Sequence, residues 1–228
     1  MKELIAIIPV SSFDESKTRL SQFLLSNERN ELLKVMLKDI ILAIKNQVKE
    51  IFIVSKDEAV KNYADELKVR FIYEKEYEDN FLNNALNDAI TEVKTIFSDY
   101  DILILPSDIP LIKKEHILTI KNMNNDLIIS PSKGGGTNLL CFNNEYDFKT
   151  KFGPMSYFKH IHEANELNMS INLIESFYVS LDMNTPEDLG ELMLHGVGTY
   201  TYEYLRSIGI NVVSNHGKER LNVTRDER

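Results

Sequence analysis

The sequence predicts a three-layer α/β fold in which a mainly parallel sheet carries helices on both faces. Three observations predict it. Residues 4–10, LIAIIPV, form an almost unbroken apolar run, as a strand does when both of its faces are buried. Short apolar runs then alternate with longer amphipathic stretches, and the connections between them are brief. That rhythm belongs to parallel sheets whose crossovers are helices.

The elements follow in order. After a polar loop over 11–21, residues 28–47 place Leu33, Leu37, Ile40, Ile41 and Ile44 at helical spacing with charged residues between them. Residues 51–54 read as a strand, 57–67 as a polar helix and 69–73 as a strand. A helix over 81–97 runs through Leu82, Leu86, Ala89, Ile90 and Val93, and the strand 102–105 follows it. A helix at 113–123, a strand at 127–130, a glycine run, a strand at 139–142 and a helix at 154–167 continue the pattern. The apolar runs 171–174 and 177–181 read as two more strands. A helix then opens at Thr185-Pro186-Glu187-Asp188, where Thr caps and Pro takes the first turn, a position that needs no backbone donor. Without a linker or repeat, residues 1–228 read as one domain with an appendage from about residue 196. Its Tyr200, Tyr202, Tyr204 and Leu205, then Ile208, Ile210, Val212 and Val213, suggest a short helix and a strand. That strand either pairs across a homodimer interface or completes the domain's own sheet.

Composition narrows the function. Against 26 Lys and Arg stand 35 Asp and Glu, a formal charge of -9. Affinity for polymeric nucleic acid comes from cations displacing counterions, so this balance opposes a DNA or RNA partner. A small polyanion needs only local cations and backbone donors. The N-terminus lacks the apolar run of a signal peptide, and no stretch reaches the roughly 18 apolar residues of a membrane span. Cys141 is the lone cysteine, which together with these absences predicts a cytoplasmic protein with no membrane partner. Cys141 sits within a predicted strand and reads as a buried, inert thiol. The five histidines have no metal-ligand spacing and read as surface or packing residues.

In open parallel sheets, ligands bind beyond the carboxyl ends of the strands, so the polar residues after each apolar run are the candidates. Lys17 and Arg19 follow the first strand at a distance suited to gripping an anion, although solvated surface cations look the same. Asp108 leaves the strand 102–105 between Pro106 and Pro110, well sited for a divalent metal or for capping a turn. Gly134-Gly135-Gly136 with Thr137 and Asn138 suits a phosphate cradle or a hairpin. Gly153-Pro154-Met155-Ser156 opens a helix, whose N-terminus with a Ser on its first turn suits an anion. Asp182 stands at the exit of the run 177–181, where it either helps hold metal with Asp108 or caps the next helix.

Taken together these segments resemble the 2-phospho-L-lactate guanylyltransferases. The resemblance covers about residues 1–190. It rests on IPV-x6-KTRL (8–20), LPSDIPL (105–111), SP-x2-GGGTN (130–138), FGP-x-S (152–156) and LD-x-NTPEDL (181–189). It implies a glycosyltransferase-A-like nucleotidyltransferase fold, GTP as substrate, Mg²⁺ or Mn²⁺, and release of pyrophosphate. Lys17, Arg19 and Asp108 become the catalytic set, with Asp108 and Asp182 on metal. The nucleotide falls to Pro9, Val10, Lys17, Asn83, Pro106 and Ser107. Thr137, Asn138, Gly153 and Ser156 take the phosphorylated three-carbon acid. Two departures stand out: family members usually carry a Lys where Ser11 or Ser12 stands, and commonly an Asp where this chain has Asn184.

Rival readings weaken on the same residues. Sugar-phosphate and pterin nucleotidyltransferases typically show a G-x-G loop after the first strand, whereas residues 10–20 contain no Gly. Metal-dependent glycosyltransferases favour a D-x-D where this chain has Ser107-Asp108-Ile109-Pro110. A non-catalytic nucleotide-binding module is separated only by an assay of turnover.

Overall fold

In the computed structural model, which describes residues 2–13, 17–214 and 221–226, the apolar run at the start becomes β1 (Leu4–Pro9). It lies inside a seven-stranded sheet with β2 (Glu50–Ser55), β3 (Arg70–Tyr73), β4 (Asp101–Ile104), β5 (Leu127–Pro131), β6 (Thr137–Phe142) and β7 (Ile171–Leu173). The order is β3-β2-β1-β4-β6-β5-β7. Four neighbouring pairs are parallel, β1 with β2, β1 with β4, β2 with β3 and β5 with β7. β6 runs antiparallel to both β4 and β5.

Side chains alternate across β1 as strand geometry requires. Leu4, Ala6 and Ile8 enter one core and Ile5 and Ile7 the other, all at 0% exposure. Each fully buried Leu or Ile is worth about 1.5–3 kcal/mol over an exposed one, so both cores hang on this strand. The first core lies under α1 (Ser26–Ile44), α2 (Glu58–Leu67), α4 (Lys114–Lys121), α7 (Pro186–His195) and α8 (Tyr200–Ser207). The second lies under α3 (Phe81–Ile96) and α5 (Ser156–Glu166). These are the three expected layers. Asp57 caps α2 by accepting from Ala59 N, and Thr185 caps α7 by accepting from Asp188 N, with Pro186 in its first turn.

Two segments depart from expectation. The run 177–181 makes α6 (Phe177–Ser180), a single helical turn closed by Ser180 N on Ser176 O at 2.9 Å, so Asp182 follows a helix and not a strand. A continuous apolar run of this length fits either state, and here β7 already stands at the sheet edge. Val179 and Leu181 turn down into the core at 0% exposure while Phe177 stays outside.

The tail gives a helix and a strand as expected, but the strand does not join the main sheet. β8 (Ile210–Ser214) pairs antiparallel with β9 (Leu221–Arg225) in a separate two-stranded sheet. Leu205 and Ile210 join the first core, and buried Asp39 of α1 accepts from Tyr200 N, Thr201 N and Thr201 Oγ1 at 2.6–2.9 Å, capping α8. Arg225 grips Glu28 of α1 through Nη1 and Nη2. Among the described residues no helix is long and apolar enough to cross a membrane.

Candidate active site

β1 pairs with β2 on one side and β4 on the other, so the chain leaves the carboxyl ends of β1 and β4 in different directions and opens a crevice between them. The loops that leave those ends carry Lys17 and Asp108. Lys17 has φ 54, a left-handed conformation costing about 1–2 kcal/mol for an L-residue. It leads into a 3₁₀ turn, Thr18–Leu20, pinned by Leu20 at 0% exposure. The strained turn puts the Lys17 ammonium 2.5 Å from Asp108 Oδ2 and 3.1 Å from Asn184 Oδ1. The Lys17 side chain is 8% exposed and that of Asp108 is 18% exposed, so the pair is largely screened from water.

A third loop completes this side. Met183 N donates to Asp108 O at 2.9 Å, which fastens the Asp182–Asn184 segment beside Asp108. Asn184 donates through its amide nitrogen to Asp182 while its oxygen accepts from Lys17, so it bridges the cation and the second carboxylate. Burial first, and then the nearby Asp108 carboxylate, push the Asp182 carboxyl above its ordinary value. Asp188 is the hub of this loop. Burial would raise its carboxyl, but Lys133, Asn184 N and the Thr185 hydroxyl and N–H outweigh burial and hold it below the usual range.

The other side of the site is built where β6 reverses the sheet. Because β6 is antiparallel, its first residues, Thr137 and Asn138, lie at the same end as the last residues of β1, β4 and β5. Between β5 and β6 the glycine loop closes on itself, with Ser132 N to Gly136 O at 3.0 Å and Gly136 N to Ser132 Oγ at 2.9 Å. Gly135 takes φ 78, and a Cβ there would meet Met155 Sδ at 2.9 Å. Gly153, at φ 124, turns the chain into α5, and Tyr157 N ties that helix to Gly135 O at 3.3 Å. The first turn of α5 therefore faces the glycine loop, with Ser156 Oγ 3.1 Å from Thr137 Oγ1.

Two clefts adjoin. One of about 300 Å³ is lined by Lys17, Arg19, Ser107 and Asp108. The other, of about 690 Å³, is lined by Gly134, Gly136, Gly153 and Asp182, and Arg19 and Asn184 line both. Arg19 is exposed, free to reach an anion in either cleft.

Other candidates are placed differently. Pro9 ends β1, and Val10 is 3% exposed with its N–H donated to Val54 O. Pro106 and Ser107 lie in the exit from β4, half-buried. Asn138 is 4% exposed and donates to Val179 O at 3.0 Å and to Asp182 Oδ1 at 3.3 Å, so it orients the second carboxylate. Asn83 is 5% exposed, and its amide exchanges two bonds with the Phe152 backbone, accepting from N at 2.6 Å and donating to O at 3.0 Å. Both ends of that amide are occupied by the loop that precedes Ser156. Ser12 donates to Asp57 Oδ2 at 2.8 Å. Cys141 is fully buried, and burial pushes its thiol up to about 12, an inert group as expected.

Sequence reasoning missed His160. It is 0% exposed, with Nδ1 2.9 Å from Thr137 Oγ1. The signal was its spacing of four from Ser156 and Ala164, which puts all three on one buried face of α5.

With this geometry in hand, comparison with known families is decisive. Residues 4–226 match the family model described as "Guanylyl transferase CofC like". The chain belongs to this family. Among its relatives, the 2-phospho-L-lactate guanylyltransferase of Methanosphaera stadtmanae is 54% identical and covers 99% of each chain. The enzyme of the same name from Methanocaldococcus jannaschii is 47% identical over 92% of this chain and 91% of its own. Solved structures share the fold at much lower identity. A candidate nucleotide-diphospho-sugar transferase from Desulfovibrio desulfuricans superposes with TM-score 0.75 at 18% identity, covering 91% of this chain and 95% of its own. A nucleotidyl transferase from Methanothermobacter thermautotrophicus does so with TM-score 0.58 at 13% identity, covering 91% and 100%. The family's fold is thus the nucleotidyltransferase fold expected from the sequence motifs.

Proposed function

We propose that this chain joins GTP and 2-phospho-L-lactate to give lactyl-2-diphospho-5'-guanosine and pyrophosphate, a step of deazaflavin coenzyme biosynthesis. The observation that carries the reading is the pair of adjoining clefts, one headed by Lys17 and Asp108, the other by Gly134, Gly136 and Gly153. Family membership supplies the chemistry, and the clefts supply two anion sites that meet at Arg19 and Asn184.

The triphosphate lies against Lys17 and Arg19, and the acceptor phosphate against the glycine loop, Thr137 and Ser156 at the start of α5. The positive end of the α5 dipole stabilises such an anion, and side-chain hydroxyls donate to it. The acceptor is already ionised near neutral pH, since a phosphate monoester has its second pKa at about 6. One of its oxygens attacks the α-phosphorus in line. The new P–O bond forms as the bond to pyrophosphate breaks, and the electron pair leaves with pyrophosphate. No proton is transferred, so no general base is required. What the residues provide is alignment of two anions and neutralisation of their charge.

A divalent cation fits the donor set. Mg²⁺ takes one or two carboxylates and leaves its other positions to water and phosphate oxygens. Asp108 and Asp182 repel one another here, with Asn184 between Lys17 and Asp182, so a cation relieves what the protein leaves in excess. When bound by Asp108 and Asp182, it supplies charge neutralisation at the α-phosphate and the leaving group. A cytoplasmic location and Mg²⁺ dependence go with this reading, and sedimentation of the full chain distinguishes a monomer from a homodimer.

The test is pyrophosphate release across a matrix of nucleotides and three-carbon phosphorylated acids, with product mass measured. Asp108→Ala is expected to lose turnover by more than about a thousandfold, the scale of losing a charge-stabilising group, with its melting curve retained. Near-normal release by a folded variant overturns the assignment.

A further inference from the structure

We propose that His160 is a positioning residue that orders a buried chain of hydrogen bonds so that the Ser156 hydroxyl is left as a donor facing the acceptor's phosphate. The proposal rests on the assignment of Thr137, Gly153 and Ser156 to the acceptor.

The direction of the chain follows from one bond. Lys151 N donates to His160 Nε2 at 2.9 Å, and a backbone N–H has no other role than donor. Nε2 therefore carries a lone pair, and the ring's one proton sits on Nδ1. Nδ1 faces Thr137 Oγ1 at 2.9 Å and donates to it. The Thr137 oxygen has now accepted, and its own hydrogen needs an acceptor in a site only 6% exposed. Among the described residues the oxygen within reach is Ser156 Oγ, at 3.1 Å. Ser156 thus accepts from Thr137, and its own hydrogen, on a residue only 1% exposed, ends the series with no acceptor among the described residues. Its oxygen lies 3.9 Å from where a Cβ on Gly136 would stand, so that end lies beside the glycine loop.

The ring is held to this one arrangement. Phe152 packs edge-on at 4.8 Å and Phe148 lies tilted at 6.0 Å, so the imidazole cannot turn over without displacing aromatic walls. Burial, with Lys151 and Lys159 nearby, pushes its pKa down to about 3 and keeps the ring neutral. A charged ring would offer a proton to Lys151 N and break the series at its first member. His160 does not reach the cleft, so it acts entirely through Thr137 and Ser156.

Two amide substitutions separate the ring's two bonds. In His160→Asn the amide nitrogen stands near Nδ1 and keeps the donation to Thr137. In His160→Gln the amide reaches the Nε2 position, keeping Lys151 N and losing Thr137. With the full chain, KM for 2-phospho-L-lactate and KM for GTP are measured by pyrophosphate release. H160Q is expected to raise the acceptor KM about tenfold, the scale of one misdirected hydrogen bond to a charged group, while H160N stays within about threefold. GTP KM is expected to move by less than about twofold in either variant, because the series touches only the acceptor side. Equal acceptor KM values in the two variants, or an equal rise in GTP KM, overturn the proposal.

Ser156→Ala separates this proposal from the assignment beneath it. An unchanged acceptor KM in S156A sinks the acceptor site itself. A raised KM in S156A with none in H160Q sinks only the role of His160. Should H160Q fail to fold, ¹H–¹⁵N correlation of the histidine-labelled wild-type protein reads the tautomer directly. A proton on Nδ1 of His160 sustains the proposal, and a proton on Nε2 overturns it.

Discussion

Acidification should destabilise this protein through His160 by an amount that can be worked out. The ring is 0% exposed and its pKa is held down to about 3, against about 6.5 in an unfolded chain. Its folded value is depressed, so the unfolded chain binds the extra proton as pH falls. Stability from this group is fully present above about 6.5 and is lost on the way down towards 3. At pH 5 the unfolded histidine is almost wholly charged and the folded one almost wholly neutral, a difference of about 2 kcal/mol relative to pH 8. The figure holds for any folded value below about 4, because the ring stays mostly neutral at pH 5 in every such case. The assay is urea unfolding followed by circular dichroism at pH 8 and pH 5, for the wild type and His160→Asn. Carboxylates titrate alike in both proteins and cancel, so the wild type should lose about 2 kcal/mol more than the variant. Parallel pH dependence in the two proteins would refute a buried neutral ring.

Other expectations follow from contacts already described. Asn83→Ala releases the Phe152 backbone and should raise the acceptor KM several-fold with GTP KM unchanged; a selective rise in GTP KM would return Asn83 to the nucleotide. Gly190→Ala drives a methyl to 2.8 Å from Val223 Cγ2, between α7 and β9, and overpacking of this kind costs about 1–3 kcal/mol in chemical denaturation. Arg225→Ala removes the cation from Glu28, which is 5% exposed, and losing a hydrogen bond to a charged group typically costs about 1.5–3 kcal/mol. A melting temperature unchanged in R225A would mean that the tail hairpin is not bound to α1 through this pair.

The legible parts of the fold are those whose signal is local. β1 could be read because five of its six residues are buried and apolar, which only a two-sided strand demands. α7 could be read because Thr185, Pro186 and Asp188 spell its start within four residues. The turn α6 could not, since an apolar run of that length is compatible with strand or helix until the neighbours are known. β9 could not either, because a hairpin strand of five residues is defined by its partner more than by its own pattern.

The site divides in the same way. By itself the sequence marked the candidate side chains: Lys17 and Arg19 after the first strand, Asp108 after the fourth, the glycine loop, and Ser156 at a helix start. Each sits next to a strand end or a helix start that its own neighbours predict. Only the tertiary structure decided what those side chains do to one another. The reversal of β6 brought Thr137 to the carboxyl ends of β1 and β4, and the bond from Met183 N to Asp108 O set Asp182 beside Asp108. Asn83 was turned towards the Phe152 backbone, and His160 was buried under Thr137. Those pairings join residues from 23 to 75 positions apart. A hydrogen bond depends on position in space to within a few tenths of an ångström, and no local pattern along the chain carries that information.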